Sequence, residues 1–307
     1  MNSTTINRQE WADEFLAKQA KPLRAAYDYI PTFLPSWNSQ CRDDGGGEGL
    51  GMGQHLAVAG GPGFGKTLFA TNLGCHATAH GVGVGYMNLE MSLIGLTRRA
   101  WAIATETDVR TLERGRHYDA PKAAEVAARV VGAGHEPFRV NTKRLRGIRE
   151  IIDLMIYWRD YGTTLFIIDY MQLIGDPTAR NSTDEVAKIS AAICDFAALN
   201  EVVTVALTQF NRETSKNYQE SPTIQGLYGG QSLEADADQV LMIDHSRYER
   251  VKDKGRDIGA RTFIILGKNR HGGIGDIPVW MDYRSLRVRE ALPDEEAEWP
   301  HHPGGRR

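Results

Sequence analysis

The run His55-Leu-Ala-Val-Ala-Gly-Gly-Pro-Gly-Phe-Gly-Lys66-Thr67 constrains this chain more than any other stretch. An apolar segment breaks into glycines and ends in Lys-Thr, with the spacing Gly60-x4-Gly65-Lys66-Thr67. Such a pattern suits a buried strand feeding a tight turn whose amides point at the oxygens of a nucleotide phosphate. Leu68, Phe69, Leu73 and Ala77 then predict a helix. Its first amides and positive dipole end stabilise anionic oxygens before any side chain acts. The expected nucleotide site comprises Gly61, Pro62, Gly63, Phe64, Gly65, Lys66, Thr67 and Leu68. Lys66 supplies a point charge for the β and γ oxygens, and the Thr67 hydroxyl a ligand for Mg²⁺. A glycine-rich connection without a ligand is the plain alternative, and the apolar strand before it and the helical pattern after it count against that.

Composition narrows the class. At 307 residues, 41% hydrophobic and 24% charged, the chain is large enough for one sizeable core with extensions. A formal net charge of -3 gives no global pull toward nucleic acid, so any DNA contact has to be local. Cys41, Cys75 and Cys194 are far apart and form no ligand spacing, which fits a reducing cytosol and no structural zinc. Cys75 and Cys194 fall in predicted helices and read as small buried apolar groups. No metal beyond nucleotide-bound Mg²⁺ is expected. The N-terminus lacks a signal core and no run is long enough for a membrane span, so a cytoplasmic location is expected.

In chain order, residues 1 to 30 read as an arm in which Trp11, Ala12, Phe15 and Leu16 share one helical face. So short a helix is marginal alone and has to dock, on its own domain or on a neighbouring subunit. Residues 42 to 53 read as a flexible surface loop. Over 31 to 290 strands alternate with helices, predicting an α/β fold: a central, mostly parallel sheet with helices on both faces. The expected strands are 82–90, 138–141, 165–169 and 202–209, and the expected helices run from Ser92 through Arg99, over 122–131, over 148–158, and after a loop at 175–184. Residues 211 to 231 are too long for a simple connection, and such loops are usually functional. Strands at 239–244, 261–267 and 277–283 follow, the last two joined as a C-terminal β-hairpin. The tail, 291 to 307, is acidic, Pro-rich and reads as disordered.

Ligands of an open parallel sheet bind outside the carboxyl ends of its strands. Glu90, Asp169, Thr208 and Gln209 fall on such ends. Asp169, after Leu-Phe-Ile-Ile, is placed to hold Mg²⁺ through water and to hydrogen-bond Thr67. Tyr170 follows it, so a catalytic base has to come from another strand, and Glu90 is placed to orient and deprotonate water. A solvated acid ahead of a helix is the bland reading of Glu90. Gln209 reads either as a sensor of the γ-phosphate or as an amide that satisfies backbone groups.

The segments Gly60-Gly-Pro-Gly-Phe-Gly-Lys-Thr67, Asn88-Leu-Glu-Met-Ser92, Phe166-Ile-Ile-Asp-Tyr-Met-Gln-Leu173, Ala206-Leu-Thr-Gln-Phe-Asn-Arg212, Ser232-Leu-Glu-Ala-Asp-Ala-Asp238 and Gly267-Lys-Asn-Arg-His-Gly-Gly273 share the order and approximate spacing of the DnaB-type replicative helicases. The chain resembles their RecA-like motor domain from about residue 30 to 290. That resemblance implies a homo-hexameric ring with ATP at each subunit interface and single-stranded DNA in the channel. It implies Glu90 as catalytic acid, Lys66 on phosphate, Asp169 and Thr67 on Mg²⁺, Gln209 as sensor, and Lys268 and Arg270 as cations reaching a neighbour's site. Arg99 matches a position near the nucleotide base. The loops at 175–184 and 211–231 match channel-facing loops, with Arg180, Arg212, Lys216, Tyr228 and the amides of Gly229 and Gly230 as DNA contacts. Relatives usually carry an Arg where Leu227-Tyr228 stands here. The resemblance does not extend to the family's N-terminal helical domain, and the arm is expected to take the position of its linker helix, as in a phage or plasmid system. A helicase loader or a primase is the further partner implied.

Two other readings remain at this point: a RecA-like recombination or repair ATPase that forms filaments, and a nucleotide-switched DNA-binding assembly factor with slow turnover. Glu90 together with Lys268 and Arg270 favours hydrolysis over the switch, and the terminal hairpin favours the motor over the recombinase.

Overall fold

The structure is a computed structural model that describes residues 29–41, 49–113, 138–211, 213–217, 219–292, 294–295 and 299. The face expected at Trp11 to Leu16, the helix expected over 122–131, and Arg212 lie outside the described residues. In chain order the first elements are β1 (Tyr29–Ile30), α1 (Pro35–Gln40) and β2 (Leu50–Gly51), the two strands forming an antiparallel ladder of their own. The alternating part follows as β3 (His55–Ala59), α2 (Lys66–Ala79), β4 (Gly83–Asn88), α3 (Leu93–Thr105), α4 (Val109–Glu113), β5 (Phe138–Val140), α5 (Ile148–Asp160), β6 (Thr163–Asp169), α6 (Ser182–Asn200), β7 (Val203–Thr208), α7 (Gly230–Asp236) and β8 (Gln239–Ile243). The last third is strands: β9 (Glu249–Asp253), β10 (Arg256–Asn269), β11 (Gly275–Asp282) and β12 (Val288–Glu290).

One ten-stranded sheet carries them, ordered β12-β11-β10-β8-β3-β7-β6-β4-β5, with β9 also on β10. The run from β8 to β5 is parallel and the β9 to β12 part antiparallel, as the alternation predicts. Both faces are covered, and strand residues divide between them with a period of two. Leu56 and Val58 of β3 face a layer that includes Trp37, Phe69 and Leu73. Ala57 and Ala59 face the layer of Ile151, Met155, Ile193 and Phe196. α3 begins where expected, with Ser92 accepting from the Gly95 amide at 3.1 Å.

Several elements differ from the sequence expectations. α6 starts inside the expected 175–184 loop, because the Asn181 side chain caps it, accepting from the Thr183 and Asp184 amides at 3.0 and 2.9 Å. The 211–231 segment is compact: Phe210 bridges Leu227, two 3-10 turns fill it, and Gly230 opens α7. The surface loop expected over 42–53 ends in a packed strand, since Leu50 is fully buried in β2, and 42–48 lie outside the described residues. Cys75 is buried as expected, whereas Cys194 is only half-buried. Part of the tail read as disordered is packed: Glu295 receives both terminal nitrogens of Arg289, and the buried Trp299 indole donates to the Thr262 and Val279 carbonyls. No helix among the described residues is long and apolar enough to cross a membrane.

α1 is short, yet it locks the sheet's lower end. The Trp37 ring is fully buried 5.8 Å from Phe69, and its indole donates to Gln239 Oε1 at 2.8 Å. Trp37→Ala is expected to lower the unfolding free energy by about 3–5 kcal/mol, read from urea denaturation of the purified chain. A loss below about 1 kcal/mol would show that α1 is not part of the cooperative core.

Candidate nucleotide site

The parallel register brings the carboxyl ends of four strands to one edge. Ala59 pairs with Thr208 and Asn88 with Asp169, and the Gly60 amide donates to the Thr208 carbonyl at 3.3 Å. Gly63 and Gly65 turn the loop with φ of 79° and 98°, values that disfavour side chains. A Cβ on Gly65 would also lie 2.9 Å from Met281 Sδ, so the loop rests directly on β11. Gly61 and Phe64 form the back of the loop. The Phe64 ring meets Tyr248 edge-on at 4.8 Å between centroids, and a Cβ on Gly61 would collide with it.

Charges inside this turn are dry. Lys66 is buried, and its Nζ donates to the Gly60 and Gly61 carbonyls at 2.8 and 3.1 Å. Burial pushes its pKa down to about 8, against the upward pull of Asp169 and Glu90. Asp169 is buried too, and burial raises its pKa, while the Tyr86 and Thr67 hydroxyls hold it down. Tyr86 donates to Oδ2 at 2.8 Å, whereas the buried Oδ1 accepts no hydrogen bond among the described residues. An orphaned carboxylate oxygen next to a threonine hydroxyl is a donor set suited to a hard, partly hydrated divalent cation. The Asp169–Tyr170 peptide is cis.

A cavity of about 470 Å³ opens over the loop. Pro62, Gly63, Gly65, Lys66, Thr67 and Leu68 line its near side, and Glu90, Arg99 and Gln209 its flanks. Glu90 is solvent-exposed on the rim and also borders a second cleft with Lys143 and Arg144. The Gln209 side chain hydrogen-bonds the Tyr170 hydroxyl, whose pKa is raised by burial and by Glu90 and Asp169. Thr208, by contrast, accepts from Gln172 at 2.7 Å and does not line the cavity.

Lys268 and Arg270 stand apart from this cavity. Lys268 pairs in register with Val240 near the start of β8, and the ladder shifts between Leu266 and Lys268 in a bulge at Gly267. Its Nζ donates to the Ala237 carbonyl at 2.7 Å and to the Glu234 carbonyl. Burial lowers the Lys268 pKa, and the nearby Arg270 lowers it further. Arg270 is held by Asp238 Oδ1 at 3.2 Å and by the Ala235 carbonyl. Both cations therefore lie toward the end of the sheet opposite the chain's own phosphate loop: by register Lys268 is level with Ala57, about 10 Å short of the loop along β3, and Arg270 is about 17 Å from it.

The second long loop packs on the helix that follows the first. Gly229 lies against Val186 of α6, so near that a Cβ would sit 2.2 Å from Val186 Cγ1. Arg180 and Lys216 are exposed, and Tyr228 is 37% exposed with its amide donating to the Gln209 carbonyl at 2.9 Å. The 213–221 segment is tied to the end of β8, with Ser221 donating to Asp244 at 3.1 Å and His245 Nε2 3.1 Å from the Asn217 carbonyl.

Residues 44–289 match the family of the DnaB-like helicase C-terminal domain. The chain belongs to that family. Among DnaB-like relatives, it is 28% identical over 233 residues to the probable plasmid replicative DNA helicase of Chlamydia psittaci, covering 73% of this chain and 49% of the relative. It is 30% identical over 245 residues to the replicative DNA helicase DnaB of Haemophilus influenzae, covering 75% and 49%. The chain thus spans about half the length of these curated relatives. In fold it is similar to a DnaB-like replicative helicase solved for its interactions with primase, with a TM-score of 0.71 at 17% identity, covering 92% of this chain and 67% of that one. It is also similar to a separately solved ATPase domain, with a TM-score of 0.69 at 18% identity over 95% of this chain and all of that one.

Within this DnaB-like frame, sequence reasoning missed the far wall of the cavity. Tyr248, Arg250 and Tyr283 line it from the antiparallel strands, and the two tyrosine hydroxyls lie 2.6 Å apart. No motif marks them, and only their distance in space from the loop gives them away. Because a bound phosphate would restore the Lys66 proton that burial disfavours, affinity for a non-hydrolysable triphosphate is expected to be full at about pH 7 and to fall as the pH climbs past about 8. Calorimetric titration checks this, and in Lys66→Arg, which keeps its charge, the same window should be flat.

Proposed function

We propose that this chain is the motor of a replicative DNA helicase, hydrolysing ATP between adjacent protomers of a hexameric ring to move along single-stranded DNA and open duplex. The observation that carries the reading is the placement of Lys268 and Arg270 toward the sheet end opposite their own phosphate loop. Cations there serve no phosphate bound in the same chain, and they fit one bound by a neighbour.

In this reading the loop amides and Lys66 bind the triphosphate, and Arg99 lies toward its base. Thr67 and Asp169 would hold a Mg²⁺ ion, which would supply positive charge against the phosphate oxygens. Glu90 orients and deprotonates water, reaching it from an exposed rim that leaves room for solvent. Lys268 and Arg270 of the adjoining protomer stabilise charge on the γ-phosphoryl group, so hydrolysis depends on assembly. Gln209 reports the γ-phosphate: its side chain borders the cavity and its carbonyl holds the Tyr228 amide. Arg180, Arg212, Lys216, Tyr228 and the Gly229 and Gly230 amides are the DNA contacts of the channel. Residues 1–30 are the arm, the motor domain spans 31–290, and a loader or primase completes a cytoplasmic assembly.

ATPase rate with and without single-stranded DNA, read beside negative-stain particle shape, tests this. DNA-stimulated turnover from closed rings is expected. Filaments would favour a recombination ATPase, and slow DNA-indifferent turnover an assembly switch. Lys268→Ala or Arg270→Ala is expected to cut turnover about a thousandfold while nucleotide affinity stays within a few-fold. Loss of affinity instead would make both residues structural.

A further inference from the structure

We propose that Asp238 is a positioning residue for the trans-acting arginine: its negative charge holds the Arg270 guanidinium in the attitude that meets the neighbouring protomer's phosphate. The proposal rests on the trans reading above. Asp238 sits in the link between α7 and β8, with a side chain 15% exposed. It grips β3 at two points, since its amide donates to the His55 carbonyl and its Oδ2 accepts the His55 amide, both at 2.8 Å. It grips Arg270 at two points as well. The Asp238 carbonyl accepts the Arg270 amide at 2.9 Å, and Oδ1 lies 3.2 Å from Arg270 Nη1. His271 Nε2 is 3.7 Å from the same oxygen.

One carboxylate thus ties a fully buried residue of the central strand to a half-exposed guanidinium on the hairpin. The remaining partners are carbonyls left open at the C-terminal end of α7: Ala235 for Arg270, and Glu234 and Ala237 for Lys268. Those carbonyls fix where the cations sit, and Asp238 supplies the formal charge that orients the fork of the guanidinium. An arginine already held in place loses less side-chain freedom at the moment it is used. The Asp238 charge therefore matters to turnover and not to nucleotide binding, which takes place at the other end of the sheet.

Asp238→Asn separates charge from shape. An amide oxygen that goes on accepting the His55 amide turns its NH₂ group against the guanidinium, donor facing donor. The expected result is kcat about tenfold lower with the ATP KM within about threefold, in a chain whose melting temperature is little changed. Unchanged kcat overturns the proposal. So does a rise, which would mean that Asp238 restrains Arg270 instead of aiming it.

Mixing impaired protomers then tests where the charge acts. Arg270→Ala mixed with Glu90→Gln should regain turnover, because some interfaces join an intact Glu90 to an intact Arg270. Asp238→Asn mixed with Glu90→Gln should likewise exceed the sum of the two alone. Recovery in the first mixture but not the second overturns the role given to Asp238. Failure of the first mixture overturns the trans reading itself.

Discussion

A buried ammonium beside a buried carboxylate sets the terms for everything at the upper end of this sheet. Neither Lys66 nor Asp169 is stable there alone, since each is stripped of water and each is shifted toward its neutral form by that loss. Two carbonyls of the phosphate loop hold the lysine, and the Tyr86 and Thr67 hydroxyls hold the acid. Such a pair is poorly satisfied until something more negative and something more positive arrive together. A metal-bound polyphosphate has that character. The order β3-β7-β6 puts one strand between their supports, a separation of about 10 Å.

The strand between them also leads outward from the cavity. β7 ends at Thr208, and Gln209 follows with its side chain on the cavity and its carbonyl on Tyr228. Phe210 bridges Leu227, so the 211–227 excursion leaves and returns at one point. In the sensor role proposed for Gln209, a change of position there would reach Tyr228 directly through the Gln209 carbonyl. His245 reinforces the same route, with its ring 6.0 Å from Phe64 of the phosphate loop and 5.3 Å from Phe210.

Much of this was legible in the sequence. Apolar runs ending in Glu90, Asp169 and Gln209 announced parallel strands, because a strand buried on both faces has no polar alternation to hide it. The phosphate loop, the Ser92 cap and the terminal hairpin followed from local chemistry. What was not legible depended on partners distant in the chain. β9 is mostly exposed along its length, so Glu249 to Asp253 shows no hydrophobic face and only its pairing with β10 makes it a strand. α7 was hidden by the glycines at 229 and 230, which read as loop but open a helix packed on α6. Tyr248 and Tyr283 join the cavity only because the antiparallel strands fold back over the loop. Asp238 appeared within a motif, yet its grip on both His55 and Arg270 needed three separated segments to converge.

The span of β3 has a further consequence for counting. In the trans arrangement proposed above, a phosphate pocket at one end of β3 and cations toward the other would give every contact between copies a donor side and an acceptor side, so that it ran one way. Close such a string on itself and each copy both gives and receives. Leave it open, or nick it once, and the last pocket in line faces no cations at all: an unsealed array of any length always holds one silent site, and sealing it switches on the missing one.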